Sequence, residues 1–193
     1  MSNYVIWTQK SVNYACILDQ FENVEKQFQF RKGISRINGF PANACFTQDM
    51  DFPNNTLLID NLVNTNSLIV ASERLKKFLE KQALPHVEYL PVTILDHKGK
   101  VASDCYYIIH PIDSVDCLDV DKCGPTWGRI AKDSIKTVDR LVLDEDKIDP
   151  ERKMFRLQKF LLPVIVHREL AEAIDQEGFE GVRWVDIDDY PES

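Results

Sequence analysis

Asn66-Ser-Leu-Ile-Val-Ala-Ser-Glu-Arg-Leu-Lys-Lys-Phe-Leu-Glu-Lys-Gln-Ala-Leu-Pro-His-Val-Glu-Tyr-Leu-Pro-Val92 is the stretch from which the rest of the chain is read. Leu68-Ile69-Val70 is β-branched and apolar, as in a buried strand. Ser72 stands where a helix needs a cap, because its hydroxyl can accept from a free backbone N–H of the first turn. Leu75, Phe78, Leu79 and Ala83 then recur at helical spacing, while Lys76, Lys77, Glu80 and Lys81 take the wet side. Pro85 stops the helix, and Val87 to Ile94 resumes as a strand. The turn Asp96-His-Lys-Gly99 leads to Cys105-Tyr-Tyr-Ile-Ile109, so these two strands are expected to form a hairpin.

The same device returns near the other end, from Leu162-Pro-Val-Ile-Val-His-Arg-Glu-Leu to Val185-Asp-Ile187. From Leu75 onward the two copies align at an offset of 95, pairing Leu75 with Leu170, Leu79 with Ile174 and Tyr89 with Trp184. The preceding strands align at 96, as though the second copy lacked one residue. Gly178 ends the second helix, since glycine tolerates the left-handed exit turn. The chain thus holds a weak internal repeat, 66–94 and 162–187. Each helix has one apolar face and needs a sheet to cover it. The expected fold is α+β (or α/β), a mixed β-sheet with both helices of the two strand-helix-strand units packed on it.

Tyr4-Val-Ile-Trp-Thr8 reads as a first strand, Gln48 to Asn66 as a loop-rich connector, and Ser134–Leu143 and Lys153–Leu157 as further strands. Helix and strand compete over Phe21–Gly33, and the tail from Asp186 is expected to fray. With 193 residues the chain is expected to form one domain, 1–193, with an N-terminal subregion 1–60 and a core 66–190.

A formal charge of −8 and 31 acidic against 23 basic residues disfavour nucleic acid and suit a partner that is itself basic. No apolar run approaches the roughly 20 residues that cross a bilayer. The opening lacks a basic and then apolar export signal, so a cytoplasmic protein without membrane contact is expected. Five cysteines, an odd number with no C-x-x-C pair, read as free buried thiols.

Catalytic patterns are missing. The seven glycines never form a phosphate loop, and no G-x-S-x-G elbow occurs. Asp119-Val-Asp-Lys-Cys-Gly124 opens like a calcium loop, but Cys123 stands fifth and Ile130 twelfth, where a bidentate Glu is needed. His86, His97, His110 and His167 are too scattered for a zinc site, and no cofactor is implied. Trp127 and Trp184 are interface residues by type, although a core role is the commoner fate of a strand tryptophan.

The order of segments carries more. It runs from Ser67–Leu79 through Val87-Glu-Tyr-Leu-Pro-Val92 and Tyr106-Tyr-Ile-Ile-His-Pro-Ile-Asp-Ser-Val-Asp-Cys-Leu-Asp119. It continues with Leu141-Val-Leu-Asp144, Phe155-Arg-Leu157, Val164-Ile-Val166 and Gly178-Phe-Glu-Gly-Val182. This succession, over roughly residues 35–187, resembles immunity protein family eleven of bacterial polymorphic toxin systems, formerly a domain of unknown function. The resemblance implies a non-enzymatic immunity protein that binds a cognate protein toxin and blocks it by occlusion. It supplies no catalytic residues. A monomer is expected, or a weak homodimer paired through an edge strand of the sheet.

The expected contact is the acidic loop with Asp113, Asp116, Asp119 and Asp121, and secondarily Asp186, Asp188 and Asp189. Cys117 and Cys123 stand in that loop and leave a redox or metal role open. The alternative is a small cytosolic enzyme or ligand-binding domain built on a cluster of Cys105, His110 and Asp113.

Overall fold

The computed structural model describes residues 2–129 and 132–191. The first strands are β1 (Tyr4–Gln9), β2 (Ile17–Glu22), β3 (Cys45–Gln48) and β4 (Asn61–Asn64), with a short helix α1 (Phe28–Arg31) after β2. The first repeated unit follows as β5 (Ile69–Ser72), α2 (Glu73–Lys81) and β6 (Val87–Leu95), and β7 (Val101–Pro111) returns beside it. Then come α3 (Val120–Cys123), β8 (Pro125–Trp127), β9 (Ile135–Val138) and β10 (Met154–Arg156). The second unit is β11 (Val164–His167), α4 (Arg168–Gln176) and β12 (Val182–Asp186).

Strand pairing overturns the expected α+β (or α/β) arrangement. The protein is mostly β, 37% strand and 17% helix. Six strands close into a barrel in the order β2-β3-β6-β7-β5-β4, and a separate four-stranded sheet has the order β10-β11-β1-β12. The two strands of each unit are never neighbours. In the barrel β7 lies antiparallel between β5 and β6, and in the sheet β1 lies antiparallel between β11 and β12. Each unit therefore recruits a third strand and builds its own layer, so the helices cannot share one sheet. Periodicity reports the apolar face of a helix but says nothing about which distant strand completes its sheet.

The helices meet instead between the two layers. Leu75 and Leu79 of α2, and Leu170, Ala171 and Ile174 of α4, are buried in one cluster with Ile69, Ala71 and Ile109 of the barrel wall and Val5, Trp7, Val164 and Val166 of the sheet. Alternation along the strands feeds three cores. Val70, Leu90, Val92 and Ile108 point into the barrel, which Phe21, Phe30 and Phe46 help to fill. Tyr4, Ile6, Ile165 and Val185 point to the far face of the sheet, where residues of the segment 115–148 cover them.

The two units match at a single offset of 95, without the missing residue expected in the second strand. Ile69–Ser72 corresponds to Val164–His167, Glu73–Lys81 to Arg168–Gln176, and Val87 to Val182. Ser72 Oγ accepts from Leu75 N at 3.2 Å, and at the equivalent position His167 Nδ1 accepts from Glu169 N at 3.3 Å. Both exits use two left-handed residues, Ala83 (φ 49°) and His86 (φ 61°) in the first unit, Gly178 (φ 66°) and Gly181 (φ 84°) in the second.

Gly181 is also where the layers touch. Its carbonyl accepts from Lys10 N at 3.0 Å and from the buried Asn61 Nδ2 at 2.9 Å, and a Cβ there would overlap the Asn61 carbonyl oxygen. Gly181→Ala is therefore expected to cost roughly 2 kcal/mol or more and to lower the thermal midpoint by several degrees. An unchanged midpoint would contradict this contact.

A second prediction concerns the barrel wall. His110 is fully buried, its Nε2 donates to Ile34 O at 2.8 Å, and burial pushes its pKa down to about 4. Between about pH 6.5 and 4 the unfolded chain binds a proton that the folded one refuses, so acidification destabilises the fold across this window and no further below it. The stability difference between wild type and His110→Gln should shrink by about 3 kcal/mol from pH 7 to pH 4. Denaturant titrations showing a pH-independent difference would refute the assignment.

Candidate functional site

The far face of the four-stranded sheet needs a cover, because Tyr4, Ile6, Phe155, Ile165 and Val185 form an apolar surface. Cys117, Leu118, Leu141 and Ile148 pack down on it, together with Ile187 from the C-terminal turn. Their polar neighbours then face outward, and most of these are acidic. Backbone bonds hold the cover in register: Asp119 N donates to Val142 O at 2.9 Å, Asp144 N to Cys117 O at 2.7 Å, and Leu141 N to Tyr190 O at 3.2 Å.

This layer carries a shallow groove of about 420 Å³ lined by Asp119, Lys122, Leu143, Asp144, Glu145 and Asp146. Asp119 caps α3 and pairs with Lys122 Nζ at 2.7 Å. The hydrogen bond from the Lys122 side chain is the main reason its carboxyl titrates below the usual range. Asp144 pairs with Lys147 at 2.8 Å, and Glu145 accepts from Ser2 Oγ at 2.6 Å, fastening the start of the chain. A carboxylate held charged in this way attracts cations and is a poor proton donor.

The expected contact residues are only partly brought together. Asp119 and Asp121 lie on the cover beside the groove acids, and the exposed Asp188 and Asp189 occupy the C-terminal turn that packs on the same core. Asp116 pairs with Lys159 at 3.1 Å. Asp113 stands after β7, with a left-handed backbone and its carboxylate 2.7 Å from His86. Asp186 belongs to β12 and pairs with Arg168 at 2.5 Å. Among the described residues no ion pair reaches Asp121, Asp188 or Asp189. Sequence reasoning did not single out Asp144, Glu145 and Asp146, which lie between two expected strands, although three consecutive acids were the available signal.

The alternative cluster does not assemble. Cys105 is exposed, its thiol bonded to Asp104; His110 is buried on Ile34; Asp113 is held by His86. Cys117 is buried with its thiol pushed up to about 12, and Cys123 Sγ accepts from Val142 N at 3.3 Å, so both act as packing residues of the cover. Among the described residues no group of three or more His, Cys, Asp or Glu is arranged to hold a metal ion. Asp119 to Cys123 forms a capped helical turn, and Ile130, the twelfth position of the calcium pattern, lies outside the described residues. No helix among the described residues is long and apolar enough to cross a membrane.

The tryptophans divide. Trp184 is half-buried, packs edge-on against Trp7 with ring centres 5.0 Å apart, and donates to Asp175 at 2.8 Å, whereas Trp127 is exposed on the β8–β9 hairpin.

Comparison with curated proteins finds no match. Comparison with protein families matches residues 10–189 to the immunity protein family Imm11, a span that begins well before residue 35 and takes in the barrel strands β2 and β3. With nearly its whole length matched, the chain belongs to the Imm11 immunity protein family.

Proposed function

We propose that the protein neutralises a cognate protein toxin by binding it in the cytoplasm and occluding its working surface, with no chemistry of its own. The observation that carries this reading is the family match over residues 10–189. The separation of Cys105, His110 and Asp113, each engaged with a different neighbour, supports it against the small-enzyme alternative. The partner is a basic protein, to suit a chain of formal charge −8, and Asp121, Asp188 and Asp189, which no ion pair reaches among the described residues, steer it during approach. The antidote acts as a monomer or weak homodimer.

The direct test is to express the protein encoded beside its gene inducibly in a host, with and without this chain. Growth arrest by the neighbour alone and recovery with both, followed by isolation of a 1:1 complex, is the expected outcome. A harmless neighbour, or arrest that this chain does not relieve, overturns the reading. The steering role has its own test. Reversing Asp121, Asp188 and Asp189 to Lys should slow association about tenfold at low salt and flatten its salt dependence, with little change in dissociation. An unchanged association rate would remove these residues from the encounter surface.

A further inference from the structure

At one end of the barrel four large apolar side chains stand in solvent: Tyr14 at 72% exposure, Met50 at 67%, Leu57 at 48% and Phe52 at 47%. Their backbone is fixed. Leu57 N donates to Tyr14 O at 2.9 Å, Cys16 N donates to Leu57 O at 2.8 Å, and Asp49 N donates to Ile17 O at 2.8 Å. The buried Gln48 side chain clamps the loop from within, donating to Phe52 O at 3.1 Å and Asn55 O at 3.0 Å. The patch is therefore a held feature of the barrel end, next to the start of β2 and the end of β3. The side chains have no place inside, because Leu18, Phe21, Phe46 and Leu62 already fill the barrel. Tyr14 adopts a left-handed backbone (φ 62°), uncommon for an aromatic residue, while presenting its ring outward.

The charge around the patch is one-sided. Residues 11–25 and 37–73 hold seven acidic residues and no Lys or Arg; Asp60 and Glu73 are paired with Arg74 and Lys77, whereas among the described residues no ion pair reaches Asp19, Asp49 or Asp51. Asp19 and Asp51 are exposed there. The cations around this barrel end are Lys10, four residues before Tyr14, Arg74, which is taken up by Asp60, and Lys98 and Lys100 of the β6–β7 hairpin, beyond β3. On the cover, by contrast, Asp116, Asp119 and Asp144 are each paired with a lysine of this chain. An apolar centre of Tyr, Met, Phe and Leu inside an acidic border has the composition of an interface core. A second copy would set the same acidic border against itself, and nucleic acid or an anionic membrane would be repelled.

We propose that this barrel end is the anchoring surface for the toxin: Tyr14, Met50, Phe52 and Leu57 bury against an apolar patch of the toxin that is bordered by Lys and Arg. The proposal rests on the reading of the protein as a toxin-binding antidote and locates its strongest contact. The free acids of the cover set how fast the partners meet, and the barrel end sets how long they stay together.

The test uses the full chain and the purified product of the adjacent reading frame. The double variant Met50→Asp with Phe52→Asp should keep the wild-type thermal midpoint, because both side chains are exposed. It should bind about 100-fold more weakly, mainly through faster dissociation, and lose growth rescue. Tyr14→Asn, which keeps a residue tolerant of the left-handed backbone, should weaken binding about tenfold. Phe28→Asp, an equally exposed apolar residue between β2 and β3 at the other end of the barrel, should bind normally. Normal binding by the double variant overturns the proposal and leaves the antidote reading intact. Failure of the wild type to bind the same product overturns the reading itself. A wild-type dimer that the double variant converts to monomer would assign the patch to a second copy and also overturn the proposal.

Discussion

The apolar layer shared by α2 and α4 is the contact on which the rest of the structure depends. A nine-residue helix is too short to stand alone in water, so each is held by what its apolar stripe meets. Each stripe meets its own sheet on one side and the other unit on the other. Leu75 and Leu79 face the barrel wall, Leu170 and Ile174 face the four-stranded sheet, and Phe78 and Phe179 close the layer with ring centres 5.3 Å apart. Removing one of these leucines would cost roughly 2–5 kcal/mol, a large part of the net stability of a typical domain. This layer sets the barrel on one side and the sheet with its acidic cover on the other, leaving the Tyr14 end and the cover as separate outward surfaces.

Buried polar groups in the barrel wall and in the four-stranded sheet belong to this architecture. Glu88 is buried and accepts from Ser35 Oγ and Arg36 N, tying the segment after α1 to β6. Arg156, buried in β10, donates to Leu161 O and Leu162 O, and burial lowers its pKa to about 10. His110 lies opposite Glu88 in the β6–β7 ladder and is bonded to Ile34. These groups fasten loops to strands. They supply no exposed acid, base or nucleophile, which suits a protein whose product is a surface.

Local features were legible in the sequence because they are set by near neighbours. The Ser72 cap, the two amphipathic helices, the β6–β7 hairpin and the first strand follow from spacing and residue type. The barrel does not. Its closure depends on two parallel pairings, β3 with β6 and β2 with β4, that no local pattern announces. The insertion of β1 between β11 and β12 joins residues more than 150 positions apart. The one-residue gap expected between the copies came from matching Ile69-Val70 to Ile165-Val166. Burial shows that Ile69 shares its face with Val164, so composition had misled by one position. The acidic loop was visible as charge, but the lysines that neutralise Asp116 and Asp119 were not. Met50, Phe52 and Leu57 were hidden in an Asn- and Asp-rich passage that reads as a plain connector.

The most direct test of the account is hydrogen–deuterium exchange on the protein alone and in complex with the product of the adjacent reading frame. Protection gained over residues 12–19 and 47–59, with little change in the α2 and α4 amides, is the result that the barrel-end anchor predicts. Protection confined to the cover, residues 116–146 and 186–190, would contradict it and move the toxin contact to the acidic face.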